Sequence, residues 1–399
     1  MRILVICQYY YPEPFRISDI CEELVRQGDE VTVLTGIPNY PEGKIYPGYD
    51  NGRKKEEIIN GVHVIRSYTI PRKKGSLYRL LNYYSYAASS CLKVLLNQVR
   101  TADGKDFDVV FVNQLSPVMM AYAGMLYSWK HDRRLIMYCL DLWPESLVAG
   151  GIKKDSLVYK VFNKISRHIY RSCDHILVTS QSFIEHLSNR FNIDKRQISY
   201  LPQYAEDIFN NLPEVEHNDF INLVFAGNIG EIQDVETIIR AAEILKSKKD
   251  LLFHIVGGGT DLARLKDMVT QKELNNVVFY GRRPIEEMPK FYAMADAMLV
   301  TLSNDPLLSM TLPGKVQSYM AAGKPIIGAI DGETSFIIED SKSGYVSASG
   351  DATALADSIT DFCKLSSFDK TLLGDNARKY YDDKFTKSKF VAKLTIDYL

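Results

Sequence analysis

The sequence has few cysteines, and they form no recognisable metal-binding or disulfide pattern. Its 399 residues include six cysteines, with no pair at CxxC spacing and most of them within apolar stretches. This usage favours reduced, buried thiols over disulfides or zinc ligands, and it is typical of a cytosolic protein.

A long hydrophobic run is also missing. The longest apolar segment is VMMAYAGMLYSW, from Val118, and it is too short to span a bilayer. Charged residues follow the first apolar run too early for a secretory leader, so we expect no signal peptide. Insertion into a membrane is therefore not expected, whereas attachment to a membrane surface stays open.

Neither positive nor negative charge is in large excess over the whole chain, but basic and acidic side chains are unevenly distributed between its two halves. Residues 1–200 carry 27 basic against 20 acidic side chains, and residues 201–399 carry 21 against 29. The halves therefore have formal charges of +7 and −8, within a total of −1. A positive first half predicts contact with an anionic surface.

Short apolar runs alternate with helical segments along the sequence. The first series contains RILVIC, EVTVLTG, DVVFVNQ, RLIMYCLD and HILVTS, and the second, from residue 221, contains INLVFAGNIG, LLFHIVGGG, NVVFYG, AMLVTL, KPIIGAI and GYVSA. Such alternation indicates parallel sheets covered on both faces, so the predicted class is α/β. We predict two doubly wound, Rossmann-like domains facing each other across a cleft, over residues 1–203 and 204–380. A helix at about 380–399 is expected to pack back on the first domain.

Ligands of such sheets bind at the carboxyl ends of the strands, where the second half places glycines and arginines. Paired glycines before a helix start allow a phosphate to approach the backbone closely. Tight structural turns and solvated arginines are the alternatives. The candidate residues in these loops are Gly227, Asn228, Gly230, Gln233, Gly257, Gly258, Arg282 and Arg283.

The stretch TLPGKVQSYMAAGKPII, residues 311–327, contains no carboxylate. Pro313 and Gly314 precede a predicted helix, and Lys315 lies at its start. The amide groups of residues 314–317 and the Lys315 ammonium are expected to converge on one point, which suits a diphosphate. A lysine that is merely on the surface is the alternative.

The whole chain resembles a family 4 glycosyltransferase with the GT-B fold. It is most similar to the bacterial O-antigen and capsule enzymes that transfer N-acetyl-L-fucosamine. The resemblance rests on RILVICQYYYPE, VTVLTGIPNYPEG with GVHVIRS, DLWPES, FAGNIGEIQDVETII, IVGGGTD and LPGKVQSYMAAGKPII, in family order over nearly all of residues 1–360. It implies a nucleotide-sugar site in the second domain and an acceptor site in the first.

The chain departs from the family at residues that would contact the donor. The family has two glutamates around the last loop, where this chain has Met310 and Ser318. Ser318 remains a candidate ribose contact, and Asp305 a candidate replacement for the donor-sugar glutamate. Asn228 and Gln233 stand where many relatives have Arg and Lys, so the cationic role falls mainly on Lys315.

Acceptor-side candidates lie at strand ends of the first half. Arg16, which follows a loop without the glycine pair of many relatives, is a candidate phosphate contact. Asp141 and Trp143 are read as binding sugar hydroxyls or steadying the acceptor, with a packed turn as the alternative. The acceptor-lining candidates are Asn39, Tyr40, Asn113, Gln114 and Trp143. None of the seven histidines matches these loops, and the Asp106–Asp108 motif is read as a turn, so no metal is expected.

A basic and apolar segment, PRKKGSLYRLLNYYSY, suggests an interfacial helix. Its basic residues are Arg72, Lys73, Lys74 and Arg79, and its apolar residues at helical spacing are Leu77, Leu80, Leu81 and Tyr84. A helix of this kind can dock on anionic lipid, whereas a core stripe with solvated charges is the alternative.

Together with the resemblance, these features predict a metal-independent glycosyltransferase on the inner face of the bacterial plasma membrane, and the resemblance implies retention at the anomeric carbon. It would move a sugar from a UDP-sugar to an undecaprenyl-diphosphate-linked saccharide, with no cofactor and no nucleic-acid partner. The alternatives are an epimerase of the same fold and a non-catalytic carbohydrate or lipid-carrier binding protein. A Rossmann dehydrogenase is disfavoured because the first strand lacks a following GxGxxG.

Overall fold

The computed structural model describes residues 1–50, 54–73, 75–149, 151–216 and 218–399. The chain divides into two compact units. The first contains Met1–Thr179, Phe183–Leu201 and Val391–Leu399, and the second contains Ser180–Ser182 and Pro202–Phe390.

The first unit is built on a sheet of order β3-β4-β2-β1-β5-β6-β7-β8. Its strands are β1 (Arg2–Ile6), β2 (Glu30–Thr35), β3 (Glu56–Ile59), β4 (Val62–Arg66), β5 (Val109–Gln114), β6 (Arg134–Cys139), β7 (His175–Val178) and β8 (Ile198–Tyr200). Every pairing is parallel except that of β3 with β4. The central strands are buried along nearly their whole length, which explains their unbroken apolar runs.

The second unit is built on a parallel sheet of order β11-β10-β9-β12-β13-β14. Its strands are β9 (Ile221–Ala226), β10 (Leu251–Val256), β11 (Val277–Gly281), β12 (Ala297–Thr301), β13 (Ile326–Ala329) and β14 (Gly344–Ser347). Apolar clusters cover both faces of this sheet, with Phe225 and Phe253 in one and Val224 and Tyr319 in the other. The two doubly wound sheets confirm the predicted fold class.

Helices connect the strands throughout the described ranges. Their bounds are α1 Ile17–Arg26, α2 Ser76–Leu95, α3 Tyr122–His131, α4 Glu145–Ala149, α5 Leu157–Arg171, α6 Gln181–Phe191, α7 Val235–Ile244, α8 Leu262–Gln271, α9 Met288–Met294, α10 Gly314–Ala321, α11 Glu333–Asp340, α12 Ala352–Lys364, α13 Ser367–Lys384 and α14 Lys387–Lys393. A π-helical segment, Leu394–Tyr398, follows α14. Within these ranges, every helix is too short or too polar to cross a bilayer. All six cysteines are free thiols.

In each unit the strand order reverses at one place. The chain runs outward from β1 to β2 on one side and from β5 onward on the other, and β9 and β12 are related in the same way. The carboxyl ends of strands at such a reversal border the crevice where doubly wound sheets bind ligands.

Candidate functional site

Glycines bring the loops after β9 and β10 into close contact. A Cβ atom on Gly257 would lie 1.8 Å from the carbonyl oxygen of Gly227, and one on Gly227 would lie 2.5 Å from Lys315 Nζ. Both glycines also have positive φ, 152° and 153°. Only glycine tolerates this conformation and this proximity. The two glycines thus allow the two loops and Lys315 to meet at the reversal point of the second sheet.

Helix α10 holds Lys315 against the end of β9. Tyr319, four residues after Lys315, is fully buried, and its hydroxyl donates to the Ala226 carbonyl at 3.1 Å. The Ala226 amide also approaches that hydroxyl at 3.2 Å. Residues four apart share a helix face, so this anchor directs Lys315 toward the same strand end. Lys315 Nζ lies 4.0 Å from the centroid of the Phe225 ring.

The Lys315 ammonium is buried without a partner. The residue as a whole is half-buried, but its Nζ is enclosed and forms no hydrogen bond with any described residue. Burial lowers the pKa of Lys315 to about 7. A buried ammonium contacting only a ring face is poorly compensated, and a bound anion would supply the missing partner.

The start of α10 adds further donors beside Lys315. Pro313 is the N-cap residue and provides no side-chain acceptor for the amides of the first turn. The Val316 amide donates to the Pro313 carbonyl at 2.9 Å. The amides of Gly314 and Lys315 have no such partner among the described residues and are available to a ligand, and the helix dipole favours an anion there. Ser318 is buried, and its hydroxyl donates to the Gly314 carbonyl of its own helix at 3.3 Å.

The predicted residues of the β9 loop form a connected group. Asn228 Nδ2 donates to Gln233 Oε1 at 2.9 Å, and Gly230 lies against both side chains. The Thr301 hydroxyl at the end of β12 donates to the Gln233 carbonyl at 2.6 Å. This loop is therefore tied across the reversal point of the sheet.

The two predicted arginines after β11 differ in their surroundings. Arg283 donates from Nε to the Tyr280 carbonyl at 3.1 Å and lies 3.7 Å from a Glu287 oxygen. Arg282 is exposed, lies beside Gly258, and forms no ion pair within the part of the chain that the structure describes. Of the two, Arg282 has the guanidinium that is free for an anionic ligand.

Asp305 has a local structural role. Its Oδ1 accepts from the Leu307 amide at 2.7 Å and from the Leu308 amide at 3.4 Å. The carboxylate thereby caps the 3₁₀ turn Leu308–Met310. Asp305 is exposed, so a ligand contact requires sharing this carboxylate with the turn.

In the first unit, Asp141 lies in a hydrogen-bonded loop after β6. Its carboxylate accepts from the hydroxyls of Ser116 and Ser146, and Trp143 Nε1 donates to Ser116 Oγ at 2.9 Å. Burial raises the pKa of Asp141, and these donors oppose that shift. Trp143 itself is buried, at 3% exposure, and packs edge-on against Phe162. Its indole therefore supports this loop rather than presenting a free face.

The other predicted residues of the first unit are mainly buried. Asn113 and Gln114 end β5, and Gln114 Nε2 donates to the Asp141 carbonyl at 3.0 Å. Arg16 is the half-buried N-cap residue of α1. Asn39 is buried, whereas Tyr40 is only half-buried.

Sequence reasoning missed Glu13, which organises this end of the first sheet. Its carboxylate accepts from the amides of Asn39 at 2.8 Å, Tyr40 at 2.7 Å and Tyr10 at 3.3 Å. Burial raises the pKa of Glu13 to about 7, although the three amides oppose the shift. An acidic residue inside the aromatic stretch YYYPEPF is the one local signal that marks it.

Glu333 was also missed. It follows β13, is buried, and accepts from the amides of Gln181 at 2.9 Å and Ser182 at 3.1 Å. The Ser182 hydroxyl donates to it at 2.7 Å. Its carboxylate is thus already occupied by donors from within the second unit.

Several motifs that were assigned structural roles have structural partners. His63 lies 3.2 Å from Thr32 Oγ1, and His254 lies 2.9 Å from the Tyr280 hydroxyl. Asp106 and Asp108 pair with Arg100 and Arg2 respectively. Among the described residues, no three His, Cys, Asp or Glu side chains are grouped as metal ligands.

Helix α2 presents the predicted apolar stripe to solvent. Leu77 is 65% exposed, and Leu80, Leu81, Tyr78 and Tyr84 are 40–47% exposed. The opposite face, with Asn82, Tyr83, Tyr86 and Ser90, is buried. The alternative of a core stripe is therefore wrong.

Of the basic residues of this segment, Lys73 and Arg79 are exposed, Arg72 is half-buried, and Lys74 lies outside the described residues.

Two family models match consecutive parts of the chain. The model described as Glycosyltransferase Family 4 matches residues 16–203, and the model described as Glycosyl transferases group 1 matches residues 207–380. Their boundary falls between the two sheets. Together they span both reversal points described above.

Individual proteins give consistent similarities. The chain is 27% identical to the protein named glycosyltransferase WbjE of Pseudomonas aeruginosa, over 73% of this chain and 75% of that protein. It is 27% identical to WcaI of Escherichia coli K12, named as a colanic acid biosynthesis glycosyl transferase, over 81% of this chain and 82% of that protein. Anabaena HepE, solved in complex with UDP, is 13% identical with a TM-score of 0.71, covering 99% of this chain and 98% of that one. The chain therefore belongs to the glycosyltransferases that join a family 4 domain to a group 1 domain in the GT-B fold.

Proposed function

We propose that this glycosyltransferase moves a sugar from a UDP-sugar to a saccharide carried on undecaprenyl diphosphate, with retention at the anomeric carbon. The sugar we propose is N-acetyl-L-fucosamine, and the product an O-antigen or capsule precursor. The name of WcaI, with its colanic acid, supports polysaccharide synthesis, and the UDP bound to HepE supports the donor class. The particular sugar rests on the sequence resemblance.

The observation that carries the proposal is the buried, unpartnered ammonium of Lys315. It lies beside Gly227 and at the start of α10, so a cation and the amides of Gly314 and Lys315 are available at one point. Arg282, beside Gly258, is a second candidate cation. A diphosphate has the charge and the oxygen acceptors that this cluster lacks.

The proposed reaction needs no side-chain nucleophile. The bond between the anomeric carbon and the diphosphate oxygen breaks while the acceptor hydroxyl attacks from the same face. The hydroxyl proton passes to an oxygen of the leaving diphosphate. Lys315 and the α10 amides would stabilise the negative charge that develops there, which is the electrostatic part of catalysis.

The remaining roles are predictions. Asp141 and Asp305 are proposed near the acceptor and donor sugars, and Ser318 near the ribose, although each is engaged in local hydrogen bonds. The acceptor is expected at the strand ends of the first unit, next to Tyr40. Metal independence and a site on the inner face of the plasma membrane complete the proposal.

The test compares Lys315→Ala with Lys290→Ala, which removes an exposed lysine of α9. UDP at a hundredfold excess over its Kd should stabilise the wild type and Lys290→Ala by about 2.7 kcal/mol in thermal unfolding. In Lys315→Ala this protection should largely disappear, and turnover with the matching UDP-sugar and acceptor should fall by about 10²-fold or more. Full protection and turnover in Lys315→Ala would refute the assignment of the diphosphate site.

The same assay separates the alternative functions. Conversion of a UDP-sugar without acceptor would identify an epimerase. Poor UDP binding together with no turnover of any donor would identify a non-catalytic carbohydrate or lipid-carrier binding protein. Screening UDP-sugars for the largest thermal protection then narrows the choice of donor.

A further inference from the structure

Arg72 of the first unit is a cation surrounded by tyrosines. Its guanidinium carbon lies 5.8 Å from the ring centroids of both Tyr40 and Tyr83. Arg72 is half-buried, and no carboxylate pairs with it in the part of the chain that the structure describes. Contacts of this type hold the guanidinium in place. The Tyr9 hydroxyl also interacts with the guanidinium, which keeps its charge and its other N–H donors for a ligand.

The backbone of Arg72 is fixed by the loop after β2. Its amide donates to Asn39 Oδ1 at 2.8 Å, and the Asn39 amide is in turn held by buried Glu13 at 2.8 Å. Gly43 packs so closely that a Cβ atom there would lie 2.3 Å from the Arg72 carbonyl oxygen. The arginine is therefore positioned by long-range contacts rather than by a mobile loop.

Two features of different character lie near this arginine, one in space and the other along the chain. At the strand ends, Tyr9, Phe15 and Tyr40 form an aromatic cluster with centroid distances of 5.1–5.6 Å. Along the chain, α2 begins four residues after Arg72 and exposes its apolar stripe. Aromatic faces suit sugar rings, and an exposed apolar stripe suits a lipid chain.

We propose that Arg72, between Tyr40 and Tyr83, binds the diphosphate of the lipid-linked acceptor. This inference rests on the proposed function. The aromatic cluster would contact the sugar of such an acceptor, the guanidinium its diphosphate, and the apolar helix its lipid chain. A guanidinium fork forms paired hydrogen bonds with phosphate oxygens, and the tyrosines restrict its orientation.

Tryptophan fluorescence offers a local reporter for this site. The chain has two tryptophans, and Trp129 is 80% exposed whereas Trp143 is buried. Trp143 lies 6.5 Å from the Tyr83 ring centroid, next to the proposed site. A Trp129→Phe background therefore leaves only Trp143 to report on it.

The experiment titrates the Trp129→Phe protein with farnesyl diphosphate, using farnesol as the uncharged control. We expect a saturable change in Trp143 emission with the diphosphate and none with farnesol. Arg72→Gln should weaken this binding by at least about tenfold, the usual effect of losing charged hydrogen bonds. Arg72→Lys should give a smaller loss, and Arg171→Gln, which removes an exposed arginine of α5, should give none.

Several results would overturn the proposal. Equal farnesyl diphosphate affinity in Arg72→Gln would do so, as would a loss in Lys315→Ala in place of Arg72→Gln, because the ligand would then occupy the donor cluster. A Trp143 response to phosphatidylglycerol vesicles alone, abolished in Arg72→Gln, would make this a headgroup site instead. Thermal protection by UDP should remain in Arg72→Gln, which shows that the protein is folded and separates this inference from the proposed function.

Discussion

At the residue scale, Lys315 combines an unfavourable environment with a favourable position. Its ammonium is enclosed against Phe225, without a hydrogen-bond partner in the described residues. A side chain chosen for stability alone would be apolar at this position. Strongly perturbed cations in a crevice are typical of functional sites, because the ligand supplies the missing interaction.

The shifted pKa of Lys315 predicts a pH dependence of donor binding. Burial lowers this pKa to about 7 in the free protein, and a bound diphosphate should raise it again. The protonated form binds best, so the contribution of Lys315 to UDP affinity should level off below pH 7 and fall as the pH rises through 7. Linkage allows a decline of up to about tenfold per pH unit above 7, until the pKa of the bound form is reached.

Isothermal titration calorimetry from pH 7 to 9 would measure this dependence. Near pH 8, two buffers of different ionisation enthalpy should reveal uptake of up to one proton on binding. Lys315→Met should bind weakly at every pH and lose the dependence. A flat affinity in the wild type would show that Lys315 does not change its protonation state on binding.

At the scale of elements, the donor cluster is a joint product of the β9 loop and α10. The Tyr319 hydroxyl fixes the helix to Ala226, and Gly227 leaves the space that Lys315 Nζ occupies. Neither the β9 loop nor α10 forms the donor cluster without the other. Changes that alter their separation should therefore weaken donor binding.

Gly227→Ala tests this interdependence. Its new methyl group would lie 2.5 Å from Lys315 Nζ and would displace the ammonium from its position. Gly350→Ala is the matched control, because Gly350 also has positive φ, 79°, but has open space around it. Both changes should destabilise the fold by about 1–2 kcal/mol through backbone strain.

Only Gly227→Ala should weaken UDP binding, by about tenfold or more, since one charged contact contributes at least 1.4 kcal/mol. Comparing the two variants by calorimetry with UDP separates the steric effect from the shared strain. Equal affinities in both would mean that the ammonium can move without loss.

Strands buried on both faces could be predicted from the sequence, because each is a short, continuous apolar run that alternates with helical segments. The two shortest or most exposed strands were not identified: β3 alternates exposed and half-buried residues, and β8 has three residues. Lys315 was predicted from its motif, but its enclosure against Phe225 was not. That enclosure depends on contacts between segments about 90 residues apart, which no local pattern records.

The same limit applies to the first unit. Glu13, Asn39 and Arg72 are linked by hydrogen bonds across almost 60 residues of sequence. Each by itself is an ordinary loop residue. Trp143 illustrates the reverse case, since its motif suggested a ligand contact whereas its indole is buried in a supporting loop.

At the scale of the whole molecule, charge and apolar surface occur together in the N-terminal half. Residues 1–200 carry the formal excess of seven positive charges, and α2 exposes its stripe within the same half. Exposed apolar groups in a contiguous helix face are uncommon in soluble proteins and mark interaction surfaces. An anionic lipid surface would complement both the positive charge and the exposed apolar side chains. We therefore expect lipid, and not a neutral protein, to be the partner of this surface.

Vesicle flotation tests this surface. We expect the full-length protein to float with phosphatidylglycerol vesicles and much less with phosphatidylcholine vesicles, and the difference should shrink at high salt because screening weakens exposed charge interactions. Leu77→Ser with Leu81→Ser should lower the bound fraction severalfold, since two partly inserted side chains contribute about 1–2 kcal/mol. Phe368→Ser, at a 74% exposed position on α13 of the second unit, should float like the wild type. Equal flotation of the double variant and the wild type would place the lipid contact elsewhere, and the apolar face of α2 would then have to serve another partner.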